Sequence, residues 1–229
     1  QRWRRLKLAV KKLLRWSLAA ALLALLAPVA VILPLRVIDP PTTMFMLIRT
    51  AERAWARNWP FYPERDFVDL SEISTNLQRA AIASEDGQFF LHHGFDFKQI
   101  NDALRAAEHG RRLRGASTIS QQTAKNLFLW DGVTVYDKAV RKGLEAYLTV
   151  YLELLLPKDR ILEIYLNCAE WGPGLFGAEA AARHWFRKPA AKLTAVEAAR
   201  LVAILPSPQR WNPHHSFAIG RVGAITARM

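Results

Sequence analysis

The chain has 229 residues, 51% apolar and 23% charged, which excludes a disordered or low-complexity polypeptide and suits one or two domains with a real core. Its single cysteine, Cys168, excludes an internal disulfide framework and cysteine-built zinc or iron–sulfur sites, which need several thiolates at short spacing. A net charge of +12 would suit nucleic acid or an anionic surface if it were spread over the chain, but it is not.

Residues 1–15 carry Arg2, Arg4, Arg5, Lys7, Lys11, Lys12 and Arg15 and no acid, so more than half of the net charge sits in a basic N-terminal stub. Residues 16–35, from Trp16 to Leu35, contain no formal charge. At 1.5 Å per helical residue they span about 30 Å, the thickness of one hydrocarbon core, and are predicted to form a transmembrane helix. The positive-inside rule keeps the stub in the cytoplasm and sends the rest of the chain to the far face, as a single-pass protein. A cleaved signal peptide is the alternative, but Pro28 spoils the small-residue pattern before Ala30 and the apolar run is too long.

Residues 36–70 form a membrane-proximal segment with Asp39-Pro40-Pro41, a helix capped by Thr42 or Thr43, and an aromatic, basic stretch of Trp55, Arg57, Trp59, Phe61 and Tyr62. Such material suits a membrane interface; the alternative is a linker whose aromatics fold back onto the domain.

From residue 71 to 229 the pattern is helical. Ile73, Leu77, Ala80, Ala81 and Ser84 recur at spacings of three and four, with Asp69 or Ser71 as cap and an end near Glu85-Asp86-Gly87. Further helices are predicted over 96–109, 120–128, 135–155, 158–167, 177–185 and 194–205, with Asn167 as a C-cap candidate. Gly110, Gly115, Asp131-Gly132, Pro157, Gly172-Pro173-Gly174 and Pro206 punctuate them. Strand-type alternation is scarce, and neither a repeat nor a second domain is visible, so the expectation is one mainly α domain.

Three stretches carry chemistry. Glu85-Asp86-x-x-Phe89-x-x-His92-x-Gly94 sets two carboxylates and an imidazole around a helix end, as a general acid or base in a cleft requires; helix-end electrostatics with Phe89 as a core anchor is the alternative. Gly115-x-Ser117-Thr118-x-x-Gln121-Gln122-x-x-Lys125-Asn126 crowds hydroxyls, amides and a cation around a helix start, where an anion such as phosphate is favoured. A capped surface helix fits the same residues. The basic run Arg111, Arg112 and Arg114 before it reads as an anion funnel or a solvated cluster. Arg141-Lys142-x-x-Glu145 is either an i,i+4 salt bridge or a second active-site carboxylate beside phosphate-binding cations.

Taken in order, EDGQFFLHHG from Glu85, GASTISQQTAKN from Gly115, RKGLE from Arg141, the stretch from Lys158 to Lys188 and the stretch from Leu193 to Pro213 resemble the five motifs of the peptidoglycan glycosyltransferase family. These are the lysozyme-like transglycosylase domains of class A penicillin-binding proteins and their monofunctional relatives. The resemblance covers residues 70–213 and, with no transpeptidase domain expected after it, points to the monofunctional form.

The resemblance implies a lysozyme-like helical glycosyltransferase domain that polymerises lipid II into β-1,4-linked glycan with inversion, releasing undecaprenyl pyrophosphate. It implies Glu85 as the base, half-exposed to the cleft, with Asp86 and His92 supporting it, and Glu145 as the second essential carboxylate. Substrate contacts are implied for Asp86, Phe89, His92, Ser117, Thr118, Gln121, Gln122, Lys125, Asn126, Arg141 and Lys142. It further implies Mg2+ or another divalent cation with Glu145 as ligand, lipid II, the nascent glycan strand and the membrane as partners, together with division or elongation proteins, and no nucleic acid. The expected location is the bacterial cytoplasmic (inner) membrane, with the catalytic domain on its periplasmic or outer face.

Two rivals remain at this level. A lytic transglycosylase or muramidase shares a helical fold and a catalytic glutamate, but needs no joint apparatus of Lys125, Arg141 and a hydroxyl-capped helix for a neutral leaving group. A non-catalytic basic scaffold would require the excess charge to lie on the domain, whereas it lies on the stub.

Overall fold

The structure is a computed structural model that describes residues 2–56, 63–109, 115 and 117–229. Arg57, Trp59, Phe61 and Tyr62 of the aromatic stretch, Gly110, and the basic run Arg111, Arg112 and Arg114 lie outside the described residues. Ten α-helices and one small sheet are present among those described.

Helix α1 (Arg2–Ile32) runs through the basic stub and the apolar stretch without a break, and a 3-10 turn over Leu33–Arg36 closes it. It is the one helix among the described residues long and apolar enough to cross a membrane. Pro28 lies inside it and has no N–H to give the Ala24 carbonyl. Beyond it, Ile32 and Leu35 enter the core of the domain, and Arg160 donates to the Leu35 carbonyl at 2.7 Å and to Asp39 at 2.8 Å.

Helix α2 (Met44–Trp55) starts at Thr43, whose hydroxyl accepts the Met46 N–H at 3.2 Å, which selects Thr43 over Thr42. Its Phe45 and Met46 pack with Phe176. Strand β1 (Glu64–Arg65) follows and pairs in parallel with a later strand. The described part of residues 36–70 therefore folds back onto the domain.

Helix α3 (Thr75–Glu85) is capped by Ser74, which accepts the Leu77 N–H at 3.2 Å, and not by Asp69 or Ser71 as predicted. Residues 70–72 form a 3-10 turn instead, because Glu163 accepts the Leu70 N–H and the Gln78 amide donates to the Leu70 and Ile73 carbonyls. After α4 (Phe97–Glu108), capped by Asp96, come α5 (Ile119–Phe128), α6 (Val135–Leu155) and α7 (Lys158–Cys168), close to their predicted spans. Asn167 is not a C-cap: it lies within α7, and its amide group donates to the Val68 and Glu163 carbonyls while its oxygen accepts the Val68 N–H. It thereby staples the chain before α3 onto α7.

Strands β2 (Glu170–Gly172) and β3 (Leu175–Phe176) complete a sheet of order β1-β3-β2, with β2 antiparallel to β3. Gly177 leaves it at φ +87°, where an added Cβ would sit 3.1 Å from the Asn167 carbonyl oxygen. Helices α8 (Ala178–Phe186), α9 (Ala195–Ile204) and α10 (Ser216–Thr226) follow. The last was not anticipated, since Gly220 and Gly223 argue against a helix; α10 forms because it packs along α9, burying Ala218 and Ile225.

The core is built by α3, α5, α7 and α9, from Leu77, Ile119, Ile161, Tyr165, Leu166, Leu201 and Ile204, with Trp171 at its sheet end. Each fully buried large side chain contributes about 1.5–3 kcal/mol, enough to hold rigidly the helix ends that carry the site.

Candidate active site

Glu85 is the last residue of α3 and is half-buried. Both of its carboxylate oxygens accept hydrogen bonds: Oε2 from Gln122 Nε2 at 3.0 Å and Oε1 from the Ser84 hydroxyl at 3.2 Å. Two donors hold the carboxylate in place at the helix end.

Among the described residues the Asp86 and His92 side chains hydrogen-bond to each other rather than to Glu85. Asp86, 1% exposed, accepts from His92 Nε2 at 2.8 Å and from the Ile119 N–H at 2.9 Å. His92 Nδ1 accepts the Gly94 N–H at 3.1 Å, which places the imidazole proton on Nε2. Thr118 donates to the Gly94 carbonyl at 2.7 Å, and at φ +89° Gly94 leaves no room for a Cβ against Thr149. The first motif is thus bolted to the start of α5. The anion favoured at that helix end is the Asp86 carboxylate, not substrate phosphate.

Three further expectations are corrected. Thr118 and Gln121 form a reciprocal capping box and are both buried, so their polar groups serve the helix start. Phe89 has no exposed surface and is a core residue, with the Lys158 ammonium 4.4 Å from its ring centroid. Asp86 and His92 act as internal ties.

The residues with free access converge elsewhere. A cavity of about 570 Å3 is lined by Glu85, Ser117, Gln122, Lys125, Arg141, Lys142 and Glu145, together with Ser84, Gly115, Leu205, Pro206 and Arg221. Gln122 and Lys125 project from one face of α5, and the second charged set from the first half of α6. Asn126 lies in an adjoining cavity of about 280 Å3, where Arg49 of α2 pairs with Glu170 at 3.2 Å. Glu85 also borders a third compartment of about 440 Å3 lined by Gln88, Lys98, Gln99 and Asp102, so it stands on the wall between two halves of a groove.

Glu145, 3% exposed, is bound by Arg141 Nη1 at 2.8 Å and by the Lys142 ammonium, which also donates to Ser117 at 3.0 Å. The i,i+4 salt bridge and the cation cluster are therefore one arrangement: the carboxylate fixes two cations along the cavity wall. Arg141 Nε is buried with no hydrogen-bond partner among the described residues. Lys125 has no ion pair among them, and its ammonium lies 5.0 Å from the Phe45 ring centroid. Burial, reinforced by Arg141 and Lys142, holds the Lys125 pKa below its ordinary value, against the pull of Asp131 and Glu145.

A resident divalent cation does not fit the donor set. Both Glu145 oxygens are engaged by cations, and no group of three metal-ligating side chains exists among the described residues.

Ser84, Tyr165 and Arg221 are site residues that sequence reasoning missed. Tyr165 lies in the core, yet its hydroxyl donates to Gln122 Oε1 at 3.2 Å. Arg221, on α10, donates to Ser84 Oγ at 3.4 Å and lies beyond every motif.

A half-buried carboxylate at a helix end, facing a cluster of cations across a groove in a helical domain, defines a lysozyme-like glycosyl-transfer site. The comparisons agree. Residues 54–229 match the model of the transglycosylase family, described as Transglycosylase. The biosynthetic peptidoglycan transglycosylase of Xanthomonas axonopodis pv. citri (strain 306) is 49% identical over 218 residues, covering 94% of this chain and 87% of that protein. The proteins of the same name from Pseudomonas syringae pv. syringae (strain B728a) and Chromohalobacter salexigens are 45% and 50% identical, over 96% and 87% of this chain and 92% and 83% of theirs. The chain belongs to the transglycosylase family.

Proposed function

We propose that this chain is a peptidoglycan glycosyltransferase that joins lipid II units into β-1,4-linked glycan. The observation that carries the reading is the position of Glu85, with two donors on its carboxylate, across one cavity from Lys125, Arg141 and Lys142. A synthase needs both poles: a base for the acceptor hydroxyl and cations for a pyrophosphate leaving group.

In the reaction, Glu85 takes the proton of the acceptor 4-hydroxyl as its oxygen attacks the anomeric carbon of the growing strand from the face opposite the pyrophosphate. The new carbon–oxygen bond forms, the bond to pyrophosphate breaks, and its electron pair leaves with the phosphate. Lys125, Arg141 and Lys142 stabilise that charge, and Glu145 holds the last two in place. A divalent cation would arrive with the pyrophosphate oxygens, and no step is assigned to it. Helix α1 would anchor the chain in the cytoplasmic membrane with the basic stub inside, which brings the cavity to the surface from which a polyprenyl-linked substrate is drawn.

A lytic reading needs only the acid and leaves the cation cluster without a purpose. The testing experiment is Glu85→Gln in the full-length protein: lipid II binding should stay within about threefold of wild type while turnover falls by at least about 100-fold. Equal loss of binding and turnover would remove Glu85 from the role of base.

A further inference from the structure

Resting on the reading of Glu85 as base, we propose that Tyr165 is a positioning residue that fixes the orientation of the Gln122 amide and, through it, the position of the Glu85 carboxylate.

A glutamine amide can sit in either of two orientations that exchange its oxygen and nitrogen. Gln122 lies between two groups that decide which one it adopts. On one side the Tyr165 hydroxyl donates to Oε1 at 3.2 Å; on the other Nε2 donates to Glu85 Oε2 at 3.0 Å. Only an amide whose oxygen accepts from the phenol can turn its N–H toward the carboxylate. In the reverse orientation the amide oxygen would face the carboxylate oxygen, a repulsion that pushes the carboxylate out of position.

The phenol is a dependable donor. Tyr165 is buried, and that burial, with the nearby Glu85 and Asp86 carboxylates, holds its pKa well above the ordinary value. It therefore stays protonated wherever Glu85 acts. Its ring is fixed by the core between α5 and α7, so the hydroxyl cannot follow Gln122 if the amide turns.

The other charges near Glu85 do not depend on this relay. Lys125, Arg141, Lys142, Glu145 and Arg221 line one compartment beside it. Asp86, Asp96, Lys98, Asp102 and Arg228 line the other. Replacing the phenol by a phenyl ring leaves all ten charges in place, as well as the Ser84 hydrogen bond to Oε1, so a change in kcat isolates the amide.

The test compares wild type, Tyr165→Phe, Gln122→Met and the double variant, as the whole chain in detergent, for kcat and KM on lipid II. Tyr165→Phe should keep the melting temperature within a few degrees and KM within about twofold. It should lower kcat about five- to tenfold. In the Gln122→Met background the same substitution should add nothing. An unchanged kcat in Tyr165→Phe, a loss expressed only in KM, or an undiminished effect on top of Gln122→Met would overturn the relay. Retained turnover in Glu85→Gln would instead overturn the base assignment beneath it.

Discussion

The Tyr147 hydroxyl on α6 donates to the Ala24 carbonyl of α1 at 2.8 Å, and Ala24 is the residue whose carbonyl Pro28 leaves without its helical donor. Tyr151, one turn further along α6, donates to Leu25 at 2.6 Å. A defect in the membrane-length helix is thus closed by the helix that carries Arg141 and Glu145, so anchor and cation cluster are built into one unit.

Tyr147→Phe and Tyr151→Phe should each lower the unfolding midpoint of the detergent-solubilised chain. Tyr147→Phe should cost less in a Pro28→Ala background, where residue 28 supplies the missing N–H. Equal costs in both backgrounds would separate the tyrosine from the proline.

Asp86→Ala should destabilise the fold by about 2–4 kcal/mol, because it leaves the His92 N–H and the first N–H of α5 unpaired in a buried place. Asp86→Asn should cost less, since the amide oxygen can still accept one of the two. Thermal unfolding of both variants checks the order.

Lys125→Met should raise stability by about 1 kcal/mol while abolishing turnover, since a half-buried ammonium without an ion pair costs desolvation that only substrate repays. The sign follows from its lowered pKa. The folded chain releases this proton before the unfolded chain does, so the penalty is full at neutral pH and fades as pH rises through the folded value toward the ordinary 10.5. The stability gap between variant and wild type should shrink over that alkaline window, which unfolding curves at increasing pH would read.

Glu145→Ala should lower kcat/KM about 100-fold, by releasing Arg141 and Lys142 from the cavity wall. Arg141→Lys keeps the charge but loses the fork that reaches Glu145, and should cost about tenfold. Steady-state rates on lipid II order the two.

The helices were legible where apolar spacing and a local cap coincide, as in α5 to α7, whose ends fall where Thr118, Thr134 and Pro157 set them. Helix α10 was not legible, because its glycines speak against it and only α9 compensates. The residue types of the site were visible, but their division of labour was not. Thr118 and Gln121 read as ligands, yet a capping box uses the same hydroxyl and amide; Asp86 reads as a partner of Glu85, yet its geometry points to α5. Arg221 carries no local signal at all, since its contact with Ser84 joins residues 137 positions apart.

The most direct test incubates the full-length protein in detergent with labelled lipid II, beside Glu85→Gln and beside preformed glycan strands, and separates the products on a gel. The expected result is a ladder of polymer from the wild type, none from the variant, and untouched preformed strands. Shortened strands with no polymer would contradict the synthase reading and make Glu85 the acid of a cleaving enzyme.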